Sequence, residues 1–145
     1  MVFKFFPDPN PHPSEADYDS ETGDAGRELK KLAKKDRQLY LTVKTFLNKV
    51  KQTNDLTPFL QAEQIYRFPG DKNELYEMRI PKQRRGGVFR IYFCKSMEDN
   101  EKNTLILLCA ELKHKPEPMK LDNATELLKK YKETIYKEER KNEKR

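Results

Sequence analysis

Two arginines stand inside apolar alternation, and that placement gives the sequence its chemical interest. Arg79 closes the segment Leu75-Tyr76-Glu77-Met78-Arg79, and Arg90 lies within Val88-Phe89-Arg90-Ile91-Tyr92-Phe93. A loop carries arginine cheaply, whereas an arginine in a β-forming segment has its direction fixed by the period-two alternation of side chains. Two guanidiniums held that way can grip an anion, since each planar fork offers donors to two oxygens at once and never loses its proton. Lys82, Arg84 and Arg85 run between the two segments, and Lys113, His114 and Lys115 follow a third β-forming segment.

The charge distribution points the same way. Thirty Lys and Arg against 24 Asp and Glu give a net charge of +6, a balance found in nucleic-acid binders and in ordinary proteins alike. Residues 78–97 hold six basic side chains and no acid, while residues 5–25 carry Asp8, Glu15, Asp17, Asp19, Glu21 and Asp24 with no Lys or Arg. The positive field is therefore focused in the middle of the chain.

The elements that must position these groups are legible from spacing. Val2-Phe3-Lys4-Phe5-Phe6 reads as a short strand, halted by Pro7, Pro9, Pro11 and Pro13; an acidic, proline-rich loop follows within residues 1–25. Leu29, Leu32 and Ala33 share one helical face, and Leu39, Val43, Phe46 and Val50 share another, which predicts helices over 25–36 and 37–53. Thr57-Pro58 reads as a helix start with Thr57 as cap. Strands are expected over 74–80, 88–96 and 104–113. A last helix should begin near Asp122 or Asn123, with Asn123 and Glu126 as its capping pair, and residues 138–145 read as a charged tail. The fold class expected is α+β: a small antiparallel sheet, two N-terminal helices and a C-terminal helix. At 145 residues this makes one domain, spanning 26–137.

No apolar run approaches the roughly 20 residues of a membrane span, and the N-terminus lacks the pattern of a secretory signal. Cys94 and Cys109 sit in apolar segments and read as buried free thiols, which favours the cytoplasm. Asp17, Asp19, Glu21 and Glu28 mimic calcium-loop spacing, but Thr22 stands where the turn needs glycine. Phosphate-cradling glycines, zinc-spaced Cys/His sets and a serine elbow are missing from the sequence, so neither metal nor cofactor is expected.

In order and spacing, the Leu-Tyr-Glu-Met-Arg segment (75–79), Phe-Arg-Ile-Tyr-Phe (89–93) and Leu-Ile-Leu-Leu (105–108) resemble the RelE/ParE superfamily of toxins from toxin–antitoxin pairs. The similarity is greatest to the HigB-like, phage-related branch. Lys113-His114-Lys115-Pro116, the helix containing Ala124, and Glu28-Leu29-Lys30-Lys31-Leu32 extend the likeness over about residues 26–132. The resemblance implies an mRNA endoribonuclease acting on the ribosome without a metal, held silent by an antitoxin of helix-turn-helix type. The acidic stretch and the charged tail make this chain longer than the usual member.

In such a reaction a ribose 2′-hydroxyl attacks its own 3′-phosphate and expels the next 5′-oxygen. That needs a base, an acid, and cations where negative charge grows. On this reading Arg79 and Arg90 hold the phosphate, Lys113 joins them, and His114 moves a proton, having an unperturbed pKa near neutrality. Glu77 is a weaker candidate for the base and Tyr92 for base stacking, while Lys82, Arg84, Arg85 and Lys115 hold RNA backbone. Two other readings stay open: a ParE-like gyrase inhibitor on the same scaffold, and a basic RNA-binding accessory protein.

Overall fold

The computed structural model describes residues 1–7, 23–82, 84–113 and 120–143, with side chains to residue 141. Most of the acidic, proline-rich stretch, and both His114 and Lys115, lie outside the described residues.

A five-stranded sheet forms the middle layer, in the order β1 (Val2–Phe5), β5 (Thr104–Lys113), β4 (Val88–Lys95), β3 (Tyr76–Ile80), β2 (Ile65–Arg67). β3, β4 and β5 pair antiparallel, as expected, and β2 adds antiparallel to β3, but β1 lies parallel to β5, with Val2 opposite Thr104 and Phe5 opposite Leu107. The fold is thus α+β with a mixed sheet. The three-residue strand β2 has no counterpart in the sequence expectation. It is too short for alternation to register.

Helices α1 (Gly23–Lys35) and α2 (Arg37–Lys51) cover one face of the sheet. Asp36 separates them: its Oδ1 accepts from Leu39 N at 3.1 Å, satisfying one of the donors left free at a helix start. Leu39, Val43, Leu47 and Val50 of α2 join Leu29 and Leu32 of α1 over Met78, Ile80, Phe89, Ile91 and Phe93. The N-cap of the short helix α3 (Thr57–Gln61) is Leu56, not Thr57, and just before it Asp55 Oδ1 accepts from both the amide and the hydroxyl of Thr57.

The other face is covered over only part of its length. Helix α4 (Leu121–Glu143) lays Ala124, Leu128 and Tyr131 over Tyr92, Cys94, Ile106, Leu108 and Cys109. It starts before the expected Asn123 cap, because Ala124 N already donates to the Lys120 carbonyl at 2.9 Å. It also runs on past Lys137 to Glu143, through residues that read from sequence as a tail.

One irregularity decides what this second face carries. The pairing of β4 with β5 shifts between Tyr92 and Phe93: Tyr92 faces Cys109 and Phe93 faces Leu107, so Leu108 is an extra residue. Leu108 and Cys109, adjacent in sequence, therefore point to the same side. Beyond the bulge the parity of β5 is reversed, and Glu111 and Lys113 fall on the α4 side, Glu111 opposite Arg90 and Lys113 opposite Val88 in the next row. In an unbroken strand they would share the side of Leu105 and Leu107, beneath α1 and α2.

Candidate functional site

Past the start of α4, the second face changes from apolar to charged. Cross-strand register builds the strip: Arg79 lies opposite Arg90 and Arg90 opposite Glu111, while Glu77 lies between Tyr66 and Tyr92 in the next row. Like charges directly opposite one another destabilise a sheet pair. Glu77 offsets that repulsion. Its Oε1 accepts from Arg79 Nε and its Oε2 from Arg90 Nη1 at 3.5 Å, so one carboxylate draws both guanidiniums together. Glu77 is fully buried, Arg90 is 8% exposed, and the Arg79 side chain is about one-third exposed.

The Arg79 guanidinium also lies over the Tyr66 ring, 5.0 Å from its centroid. The remaining carboxylate, Glu111, accepts at Oε2 from the Tyr92 hydroxyl and from Lys120 N, each at 2.8 Å. Burial, the bond to Glu111 and the field of Glu77 together push the Tyr92 phenol far above its ordinary range. Tyr92 is therefore a fixed proton donor to Glu111. Its ring is wholly buried and stacks on Phe68 at 6.3 Å, so the expectation that it stacks an RNA base is corrected: no face of the ring is open.

Two cationic donors are left unspent. Arg90 Nε and Lys113 Nζ are buried and have no hydrogen-bond partner among the described residues. Lys113 is 4% exposed. Burying a charged donor without a partner costs more than any other common packing fault. The strip holds Arg79, Arg90 and Lys113 against Glu77 and Glu111, three formal positive charges to two negative. An oxyanion set against Arg90 and Lys113 would complete both donors and balance that excess.

The other residues expected at the site are placed differently. Lys82 leaves β3 and pairs with Glu63 at 2.8 Å on the surface. Arg84 folds back over its own loop, where a Cβ on Gly86 would come within 2.8 Å of it, and pairs with Asp36 at 2.8 Å. It braces the cap of α2. Arg85 is exposed. The structure thus gathers Arg79, Arg90 and Lys113 and leaves Lys82, Arg84 and Arg85 outside the strip.

Sequence reasoning missed Glu111 and Tyr66 as site residues. Alternation along β5 would have put the first on the wrong face, since only the bulge at Leu108 turns it to the site; the second lies in a strand too short to announce itself. A cleft of about 380 Å³ opens between α2 and the end of β3, lined among others by Thr42, Phe46, Gln64 and Lys82; of the strip residues only Arg79 lines it. Comparison with protein-family models, curated proteins and solved structures finds no match to this chain.

Proposed function

We propose that this protein is an endoribonuclease that cleaves messenger RNA without a metal, and that the charged strip of the sheet is its active site. The observation that carries the reading is the pair of buried, unspent donors on Arg90 and Lys113 beside Arg79. A phosphodiester supplies the missing anion. As it passes to a phosphorane its charge grows, so the same donors act more strongly on the transition state than on the ground state.

In this mechanism the scissile phosphate sits against Arg90 and Lys113. Glu77 keeps Arg79 and Arg90 from splaying apart. Glu111, whose second oxygen accepts no bond among the described residues, takes the 2′-hydroxyl proton while Tyr92 and Lys120 N hold its first oxygen in place. The 2′-oxygen bonds to phosphorus, the bond to the 5′-oxygen breaks, and His114 gives that oxygen its proton. The products are a 2′,3′-cyclic phosphate and a 5′-hydroxyl end. Following the family resemblance, the substrate is mRNA on the ribosome, the setting is the cytoplasm, and a helix-turn-helix antitoxin is the natural partner. No helix among the described residues is long and apolar enough to cross a membrane.

The test is brief induction without a partner, followed by mapping of transcript ends. Growth arrest with new 5′-hydroxyl ends inside translated messages is expected, and Lys113→Met, which removes a buried charge at little cost to the fold, should abolish both. Intact messages in arrested cells with induced DNA damage would point to the gyrase-inhibiting branch instead. Undiminished cleavage by Lys113→Met would remove the site.

A further inference from the structure

We infer that Tyr66, with Arg79 laid over it, is a stacking platform for a base of single-stranded RNA beside the cleaved phosphate. The inference rests on the ribonuclease reading and adds a subsite to it. Tyr66 is on the edge strand β2, directly opposite Glu77, and so points to the same face as the charged strip. At 39% exposure it is one of two large aromatic side chains, with Tyr136, left open to solvent among the described residues. Its neighbours keep it from moving: Phe68 meets it edge-on at 5.1 Å and 86°, and the Arg79 guanidinium sits 5.0 Å from the ring centroid.

An exposed aromatic ring fixed in place beside an arginine offers a flat, electron-rich surface within a positive field. Single-stranded nucleic acids use that combination, because every base has a π-face and every linkage an anion. Arg79 joins the two functions: its Nε is bound to Glu77 inside the phosphate site while its plane lies against Tyr66 outside it. β2 and β4 are two strand spacings apart, about 9–10 Å, close to the reach from a phosphate on Arg90 to the base of an adjoining nucleotide. A base here also explains why a tyrosine, and not a charged residue, occupies the open face of an edge strand.

The chain contains no tryptophan, so Tyr66→Trp places a single reporter at the platform. The probe is a 2′-O-methyl hexaadenylate, which cannot be cleaved, titrated at low salt with fluorescence anisotropy of a labelled copy as an independent measure of binding. Saturable quenching of the tryptophan by at least half is expected, with no quenching by an abasic oligomer of the same length. Tyr66→Leu should weaken hexaadenylate binding about tenfold, as loss of one base stack does. Binding without quenching, together with unchanged affinity in Tyr66→Leu, would overturn the platform and leave the phosphate site standing. Absence of any binding by the unsubstituted protein would overturn both.

Discussion

The two faces of the sheet are built to different ends. The face beneath α1 and α2 is apolar over most of its length, with Met78, Ile91 and Phe93 fully buried and helical side chains filling the space above them; only at one end do Arg67 and Lys95 lie over the Tyr76 ring. The face beneath α4 is apolar for only part of its length, and gives way to Glu77, Arg79, Arg90, Glu111 and Lys113. The first contributes stability through area removed from water. The second gives some of it up, since buried charges rarely repay their desolvation, and Arg90 Nε and Lys113 Nζ have no hydrogen-bond partner among the described residues. Sites that hold such costs are where function is to be sought, because folding alone does not require them.

Substitutions that remove something from each face can break this contrast. Phe93→Ala, on the apolar face, should lower unfolding free energy by about 3–5 kcal/mol in urea titrations. A loss under about 1 kcal/mol would mean that this face is not the main source of stability. Glu77→Ala should cost about 3 kcal/mol, because it leaves two guanidiniums facing each other with no carboxylate between them. If Glu77→Ala were as stable as the parent, the two arginines would not be held by it.

Lys113→Met should act with the opposite sign. Replacing a buried ammonium that has no hydrogen-bond partner among the described residues by a thioether of similar length is expected to raise stability by about 1 kcal/mol. Destabilisation of that size would show that the ammonium has a partner and is not waiting for a ligand. The smallest effect concerns the covered part of the second face. Burial pushes the thiols of Cys94 and Cys109 up to about 12, so neither should react with an aromatic disulfide reagent at pH 8 over minutes, whereas both should react in urea. Fast reaction in the native protein would mean that α4 opens readily from the sheet.

Much of this architecture was legible in the sequence, and the exceptions have identifiable causes. Apolar spacing located α1 and α2 to within two residues, because their buried stripes recur with helical period. Alternation located β3, β4 and β5 for the same kind of reason. It also put Arg79 beside Arg90 on one face. It could not show the bulge at Leu108, since a register shift is fixed by pairing between strands and not within one. For the same reason the parallel addition of β1 to β5, a contact across some hundred residues, left no local trace. The caps at Leu56 and Lys120 were missed by one and three residues, where backbone hydrogen bonds and not propensity decide the boundary. At the site, the cationic side chains were legible because their charge is conspicuous. The carboxylate that draws two of them together, and the tyrosine stacked outside, owe their roles to cross-strand neighbours.

The central claim, that Arg90 and Lys113 form a seat for a phosphate, is tested most directly by thermal unfolding of the protein against inorganic phosphate at constant ionic strength. An anion that binds only the folded form stabilises it by about 1.4 kcal/mol at ten times its dissociation constant, so the melting temperature of the parent should climb with phosphate. That of Lys113→Met should stay flat. Equal responses in the two proteins, or none in either, would contradict the claim.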